Sequence, residues 1–293
     1  MQVYAVIGRL QQDGFAAAAL CEVLNVQRSC YYAWRRGSQS QRAREDAELK
    51  PLIRKIFWEH KRRYGARRIS QELSSLQNRC GVARVGRLLG EMELKAIQPK
   101  SFRPRTTDSR HRLGYSPNLL LASPPPSGID QVWVGDITYI PTENGPFLYL
   151  AMLLDLYSRR IVGWALLNHM KEPLVLAALR GAIALRGPNA DLIHHTDRGG
   201  QYAGKAYRRV LQRAVMRQSM SRADSCYDNA FMESCFGTIK TELEMDCYES
   251  EPVARKEIGQ YIRYYNTRRR HSALGYSTPE QFEATDGPNG GTS

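Results

Sequence analysis

The chain has 293 residues, of which 42% are hydrophobic, and its formal charge is +13. This composition allows two or three folded domains and excludes a disordered or fibrous protein. No apolar run reaches the roughly 18 to 20 residues of a membrane span, and the N-terminus lacks the pattern of a secretory signal, so we expect a cytoplasmic protein without a membrane partner.

The positive charge is concentrated in the first part of the chain. Residues 1–130 hold 23 Lys and Arg against 11 Asp and Glu, a net +12, whereas residues 131–293 hold 19 against 18, a net +1. This asymmetry favours a polyanionic partner, with a merely solvated basic surface as the alternative. The six cysteines form no CxxC pair and no zinc-finger spacing with histidine, which predicts reduced thiols.

The first 45 residues carry a pattern that favours a helix-turn-helix. Residues 3–36 show helical spacing of apolar residues, and a turn near Asn25 separates two short helical stretches. Arg28 falls at the start of the second stretch, where a helix-turn-helix places residues that meet a DNA groove. A plain helical hairpin with a core of aromatic residues is the alternative.

A more basic helical region is predicted over 46–115. Gly65 interrupts its helical pattern, apolar spacing resumes after it, and a further helix is predicted from Val82. The interruption carries cations that could neutralise DNA phosphates. These candidate DNA contacts are Lys61, Arg62, Arg63, Arg67 and Arg68. A solvated basic helix face is the alternative, and the Pro-rich stretch at 116–130 predicts a stiff linker.

The pattern changes to strands after residue 130. The runs VWVGDITYI, FLYLAMLLDLYS and RRIVGWALLN are separated by short turns and predict three successive antiparallel strands. A helix at 172–187, a buried strand in DLIHHTD, a helix at 205–214, a short strand at 216–220 and a last helix are predicted next. This order predicts an α/β, ribonuclease H-like mixed-sheet domain over 131–245, preceded by all-helical DNA-binding modules.

Three acidic residues in this domain suit a metal site. Asp136 interrupts the first apolar strand, Asp197 follows a buried strand in HTDRGGQY, and Glu233 lies in DNAFMES on a predicted helix. Brought together, three carboxylates would suit two Mg²⁺ ions about 3.5 to 4 Å apart over a phosphodiester, with Mn²⁺ as the expected substitute. Taken singly, Asp197 could instead cap a turn and Glu233 could be a solvated helix residue.

Other polar residues near these carboxylates are candidates for the same site. Lys240 lies two helical turns after Glu233 on the same face and could hold a phosphate, with an ordinary exposed lysine as the alternative. His195, Gln201 and Asn229 could line the site. A histidine buried in a strand is an equally good interpretation of His195.

The predicted C-terminal extension, 246–283, mixes aromatic and basic residues in YYNTRRRHSALGY. Its basic residues suit a DNA backbone that passes the active site. They are Arg268, Arg269, Arg270 and His271. Packing of a terminal helix on the core is the alternative for the tyrosines, and residues 284–293 predict a flexible tail.

Together, these motifs resemble those of one family. GDITYI, LLDLYSRRIVGW, HTDRGGQY, DNAFMESCFGTIKTE and YIRYYNTRRRHSALGYSTPEQF are similar to the OrfB-type transposases of the insertion-sequence-3 group, relatives of retroviral integrases. The resemblance covers about 131–283, and about 20–97 resembles the helix-turn-helix region of that family. It implies Asp136, Asp197 and Glu233 as an Asp-Asp-Glu triad, with Lys240 as the basic residue after the glutamate.

The resemblance also implies partners and a reaction. The substrate would be double-stranded DNA, namely terminal inverted repeats and target DNA, in a bacterial, nucleoid-associated setting. One strand would be hydrolysed at an element end, and the exposed 3′-hydroxyl would then attack another phosphodiester. Synapsis of two ends implies at least a dimer, and the family commonly fuses an upstream reading frame to this one by ribosomal frameshifting.

Two alternatives of a different kind stay open at the level of sequence. One is a DNA-binding repressor without catalysis, which would bind element ends equally well after Glu233→Gln. The other is a ribonuclease H-like nuclease or junction resolvase, which would cut strands but never join them.

Overall fold

The computed structural model describes residues 2–37, 40–98, 114–121, 123–143, 145–222, 230–244 and 247–286. The chain divides into two compact units, residues 1–96 and 97–293. The first unit is helical, and the second is built on a five-stranded sheet. Among the helices within these ranges, none is both long and apolar enough to cross a bilayer.

The first unit contains two small hydrophobic clusters. Its helices in the described residues are α1 (Gln2–Gln12), α2 (Ala17–Val23), α3 (Arg28–Arg35), α4 (Gln41–Glu59), α5 (Ala66–Ser75) and α6 (Val82–Glu91). Tyr31 is fully buried in the cluster of α1 to α3, and Tyr64 is fully buried in the cluster of α4 to α6. The turn near Asn25 lies between α2 and α3 as the spacing predicts, with Asn25 at φ 49°.

The second unit has one mixed sheet. Its strands are β1 (Val132–Ile140), β2 (Leu148–Asp155), β3 (Ile161–Leu167), β4 (Ile193–Thr196) and β5 (Arg217–Met220). They lie in the order β3-β2-β1-β4-β5. The first three pair antiparallel in succession, whereas β4 pairs parallel with β1 and β5 pairs parallel with β4. The predicted ribonuclease H-like mixed sheet is therefore confirmed.

Helices cover both faces of this sheet. They are α7 (Glu172–Arg186), α8 (Gly200–Ala203), α9 (Lys205–Arg213), α10 (Ala230–Glu242), α11 (Glu251–Thr267) and α12 (Pro279–Asp286). Trp133 and Ile137 of β1 pack with α7 and α9, whereas Val134 and Ile140 pack with α10 and α11. Because side chains alternate along a strand, Asp136 shares the face of Val134 and points toward the layer that holds α10.

Helix α7 shows how local sequence fixes this packing. Pro173 lies in its first turn, where a missing N–H costs nothing, and Gly187 ends it in the left-handed conformation at φ 53°. The helix lies close to β3 because Gly163 has no side chain. A Cβ at that position would lie 2.5 Å from the carbonyl oxygen of Ala178.

The segment before the sheet protects its edge strand. The Leu119 N–H donates to Ser219 Oγ at 2.9 Å, and the Met220 N–H donates to the Pro117 carbonyl at 3.3 Å. Part of the stretch predicted as a linker thus runs along β5. An otherwise open sheet edge is covered by this arrangement.

The C-terminal helices pack into the second unit. Glu283 on α12 accepts hydrogen bonds from Ser158 Oγ at 2.8 Å and from the guanidinium groups of Arg160 and Arg186 at 2.6 and 2.9 Å. These contacts join α12 to the β2–β3 turn and to α7. The tail predicted from residue 284 begins inside α12, and its remainder, 287–293, lies outside the described residues.

Candidate active site

The pairing of β1 with β4 accounts for the positions of two of the predicted carboxylates, Asp136 and Asp197. Val134 is the partner of His195 in this parallel pair. Continued by two residues, this register would place Asp136 opposite Asp197, which directly follows β4. Neighbouring strands are about 4.8 Å apart, so both carboxylates reach one region at the edge of the pairing.

Helix α10 supplies the third carboxylate and a lysine. Met232, Phe236 and Ile239 form its buried face against the sheet. Glu233 is exposed, and Lys240 lies half-buried two turns later, about 10 Å along the helix axis. The apolar face thus fixes the helix, while its polar side carries both groups.

The electrostatic environment of Asp136 shows that the structure brings these groups together. Burial raises the pKa of Asp136 well above its ordinary value, and the negative charges of Asp197 and Glu233 raise it further. A hydrogen bond from the Ile137 N–H at 2.8 Å and the positive charge of Lys240 act in the opposite direction. Asp197, Glu233 and Lys240 therefore lie within electrostatic reach of Asp136.

Lys240 is held by an aromatic ring as well as by charge. Its Nζ lies 4.4 Å from the centroid of Tyr139, which follows Asp136 by three residues on β1. Burial lowers the pKa of Lys240, and the charge of Asp136 opposes that shift. Tyr139 is a functional candidate that sequence reasoning missed, because only the fold brings its ring to Lys240.

The loop after Asp197 is shaped around its carboxylate. The Gly199 N–H donates to Asp197 Oδ1 at 2.9 Å. The side chain of Gln201 folds against Gly199, where a Cβ would lie 2.6 Å from it, so this predicted lining residue lies next to Asp197. Arg198 donates to the Ser221 carbonyl at 2.7 Å, which ties the loop to the end of β5.

Tyr202 is a second residue that the sequence did not single out. It is fully buried on α8, and burial raises the pKa of its hydroxyl well above its ordinary value. The charges of Asp197 and Asp136 raise that pKa further. The phenol is therefore neutral and lies within electrostatic reach of both carboxylates.

The two strand histidines are core residues. His195, a predicted lining residue, is fully buried, with Nδ1 2.8 Å from Ser219 Oγ and Nε2 3.2 Å from Ser221 Oγ. His194 points to the other face, where its Nε2 lies 2.6 Å from the Tyr207 hydroxyl. His195 thus supports the strands beside Asp197, with both ring nitrogens engaged by serines. Asn229, the other predicted lining residue, lies outside the described residues.

The three carboxylates suit a divalent metal ion, both as oxygen ligands and by their negative charge. Carboxylate oxygens are the ligands that Mg²⁺ prefers. Within the described ranges, no three His, Cys, Asp or Glu side chains converge closely enough to form a metal cluster. Burial and the negative charges of Asp197 and Glu233 both raise the pKa of Asp136, and a cation bound beside these carboxylates would offset both effects.

Comparisons with known proteins assign the chain to a family. An integrase core domain model matches residues 126–226, a second matches 215–279, and an HTH-like domain model matches 43–102. The chain is 40% identical over 265 residues to the insertion element IS600 31 kDa protein of Shigella sonnei, covering 90% of this chain and 97% of that protein. It is 38% identical to the transposase InsF for insertion sequence IS3A of Escherichia coli, covering 96% and 98%. The chain belongs to the IS3 family of transposases.

This transposase therefore binds DNA and acts in DNA transposition and DNA integration. The integrase core domain confirms the family resemblance drawn from the motifs. Among solved structures, the HTLV-2 integrase catalytic core in complex with magnesium is similar over 54% of this chain and 98% of that chain, at 18% identity and a TM-score of 0.43.

The HTH-like match falls on α4 to α6, the basic helical region, and not on α2 and α3. Lys61 in the turn after α4 and Arg67 in the first turn of α5 are exposed, while Arg62, Arg63 and Arg68 are half-buried. Arg68 donates to the Arg63 carbonyl at 3.3 Å and lies 5.5 Å from the ring centroid of Tyr64. Arg28 is exposed at the first residue of α3.

The C-terminal basic motif divides into exposed and buried members. Arg268 is exposed, and Arg270 is half-buried and donates to the Tyr276 carbonyl at 3.0 Å. Arg269 is only 5% exposed and forms a buried ion pair with Glu242 at 2.7 Å, and His271 is buried beside it. The expectation that Arg269 and His271 contact DNA is corrected here, because both side chains are enclosed by the protein.

Proposed function

We propose that this transposase is a polynucleotidyl transferase of the Asp-Asp-Glu type, with Asp136, Asp197 and Glu233 holding two Mg²⁺ ions, for which Mn²⁺ can substitute. The observation that carries this proposal is the charge environment of Asp136. Its carboxyl lies within reach of Asp197, Glu233 and Lys240, although these residues come from two strands and a helix. A structural role for the carboxylates would not require three of them beside one lysine.

The proposed reaction has two steps that use the same site. In the first, water attacks a phosphorus at an element end, the bond to the 3′ oxygen breaks, and a free 3′-hydroxyl results. In the second, that hydroxyl attacks another phosphodiester, so that one phosphorus–oxygen bond forms as another breaks. Bound Mg²⁺ would neutralise charge on the phosphate and on the attacking and leaving oxygens.

Individual groups of the protein have separate roles in the proposed reaction. Asp136, Asp197 and Glu233 provide the oxygen ligands. Lys240 binds a phosphate oxygen and is oriented for this by the Tyr139 ring. The hydrogen bond from the Gly199 N–H holds the Asp197 carboxylate in place.

DNA binding is proposed for two surfaces of the chain. The exposed cations after α4 and at the start of α5, with their half-buried neighbours, would neutralise phosphates of the terminal inverted repeats. Arg28, Arg268 and Arg270 would add contacts, and target DNA would enter at the catalytic unit. At least a dimer would be needed to hold two element ends. The protein would act at the nucleoid in the bacterial cytoplasm. It would do so either alone or fused by frameshifting to an upstream partner.

Purified protein incubated with labelled DNA carrying the element ends tests this proposal. We expect nicks with 3′-hydroxyl ends, followed by joined products, in Mg²⁺ but not in EDTA. Both products should disappear in Glu233→Gln, whereas Glu244→Gln, an exposed glutamate just beyond the same helix, is the matched control. DNA binding without any product in Mg²⁺ or Mn²⁺ would contradict the proposal for the chain alone.

A further inference from the structure

The outer face of α9 carries a row of cations that the near-neutral charge of residues 131–293 conceals. The sequence KAYRRVLQR has four basic residues and no acidic one. Lys205, Arg209 and Arg213 are spaced by four residues, so they lie along one face of the helix. All three are exposed, and Arg217 at the start of β5 is exposed as well.

The cations of this row are not used inside the protein. In the part of the chain that the structure describes, Lys205, Arg209 and Arg213 form no ion pair, whereas Arg255 on α11 pairs with Glu251. The Glu172 carboxylate contacts α9, where it accepts a hydrogen bond from the Tyr207 N–H at 3.0 Å. Three of the four positive charges of α9 are thus presented to solvent, whereas Arg208 is half-buried and donates to the Gly114 carbonyl at 2.8 Å.

The opposite face of α9 connects the row to the active site. Tyr207 and Leu211 are buried, and the Tyr207 ring lies 5.5 Å from that of Tyr202. Tyr202 lies within electrostatic reach of Asp197 and Asp136. Lys205 follows Asp197 by eight residues, four of them in the compact α8, which limits their separation to about 20 Å.

The chemistry of the row selects its partner. Lys205 to Arg213 spans about 12 Å along the helix axis, a length over which duplex DNA carries about seven phosphates. The exposed face holds cations and Gln212 and no aromatic residue. A protein partner would require an apolar or aromatic centre, which this face lacks.

We propose that the outer face of α9 is a further DNA-contact surface of this transposase, which holds the phosphate backbone of a duplex beside the active site through Lys205, Arg209 and Arg213. The contact is independent of base sequence. This inference rests on the proposed function, because the DNA must lead to the carboxylates to be cut or joined.

Salt-dependent binding of the full chain to a random-sequence duplex in EDTA tests this surface without catalysis. The variant is Arg209→Gln with Arg213→Gln. The matched control is Lys256→Gln with Arg263→Gln, which removes two exposed cations from α11. We expect the slope of log K against log salt to fall by about 1.8 in the α9 variant, since each lost phosphate contact contributes about 0.9.

The control should keep a slope close to that of the wild type. An unchanged slope in the α9 variant, or an equal loss in both variants, would overturn the inference. Strand joining by the wild type in Mg²⁺, measured in parallel, separates the two failures. If joining occurs while the slope is unchanged, only the α9 surface is wrong, and if no joining occurs, the proposed function itself fails.

Discussion

At the scale of single residues, the candidate site depends on contacts that the fold creates around a few charged groups. Asp136 is held beside two other carboxylates and one lysine, and burial weakens the preference of its carboxyl for the charged form. The charge of Lys240 lowers the Asp136 pKa, and its Nζ lies 4.4 Å from the centroid of the Tyr139 ring. Individual neighbours of the carboxylates therefore have measurable consequences.

Substitution of Tyr139 tests the orientation of Lys240. Tyr139→Leu removes the ring, and a half-buried cation–π contact contributes about 1 to 2 kcal/mol. We expect the rate of strand joining at saturating DNA to fall roughly 5- to 30-fold. Tyr139→Phe retains the ring and should remain within about twofold of the wild type. Equal rates for the two variants would refute the role of the ring.

The pH dependence of stability tests the buried state of His194. Burial lowers the pKa of His194 to about 3, and its Nε2 lies against the Tyr207 hydroxyl. The imidazole of the unfolded chain has a pKa of about 6.5. The free energy of unfolding that depends on neutral His194 is therefore complete above that pH and is lost as the pH falls toward 3. The loss approaches about 1.4 kcal/mol per pH unit for one proton.

Urea unfolding of the wild type and of His194→Gln between pH 7 and pH 5 measures this contribution. The Gln side chain keeps an acceptor and a donor but does not titrate. We expect the stability of the wild type to decline more steeply with falling pH than that of the variant. Parallel pH profiles would mean that His194 is already protonated in the folded protein or does not titrate differently on unfolding.

At the scale of elements, α10 is positioned by the C-terminal helices as much as by the sheet. Glu242 in its last turn accepts from Arg269 Nη2 at 2.7 Å and from the Tyr261 hydroxyl at 2.9 Å. Both partners of the ion pair are almost fully buried, with side chains 7% and 6% exposed. The pKa of Arg269 is raised because the charge and hydrogen bonds of Glu242 outweigh the effect of burial, which is the largest single influence and lowers it.

Breaking this pair from one side should destabilise the second unit. Arg269→Met leaves the Glu242 charge buried without its partner, which costs about 3 to 5 kcal/mol. Glu242→Gln combined with Arg269→Met removes both charges and keeps an acceptor for Tyr261, so we expect it to regain most of that loss. Urea unfolding midpoints of both single variants and the double variant measure the coupling. Simply additive losses would rule out a coupled pair.

At the scale of the whole molecule, much of the fold followed from sequence and the finer placement of charges did not. Strands β1 to β3 are apolar runs bounded by turns, and α7 is a long apolar segment bounded by Pro173 and Gly187, so these elements could be predicted from sequence. The four-residue α8 has no period to detect. Arg269 looks identical to its basic neighbours in sequence, yet the turn after α11 points it inward to a glutamate 27 residues earlier.

Net charge over long segments misled for a related reason. The second part of the chain is close to neutral overall, but several of its acidic residues lie in the carboxylate site or in ion pairs such as those of Glu242 and Glu283. The cations of α9 therefore stay unbalanced at the surface. Only the folded structure shows which charged side chains are paired within the protein and which are exposed to solvent.

The central claim is that Asp136, Asp197 and Glu233 act together as metal ligands, and replacement of one oxygen ligand by sulfur tests it most directly. A thiolate suits Mn²⁺ better than the harder Mg²⁺. We predict that Asp197→Cys gives no strand joining in Mg²⁺ and regains measurable joining in Mn²⁺, whereas Asp197→Ala stays inactive with both ions. Equal activity of Asp197→Cys in the two metals, or Mn²⁺ activity in Asp197→Ala that matches it, would contradict the account.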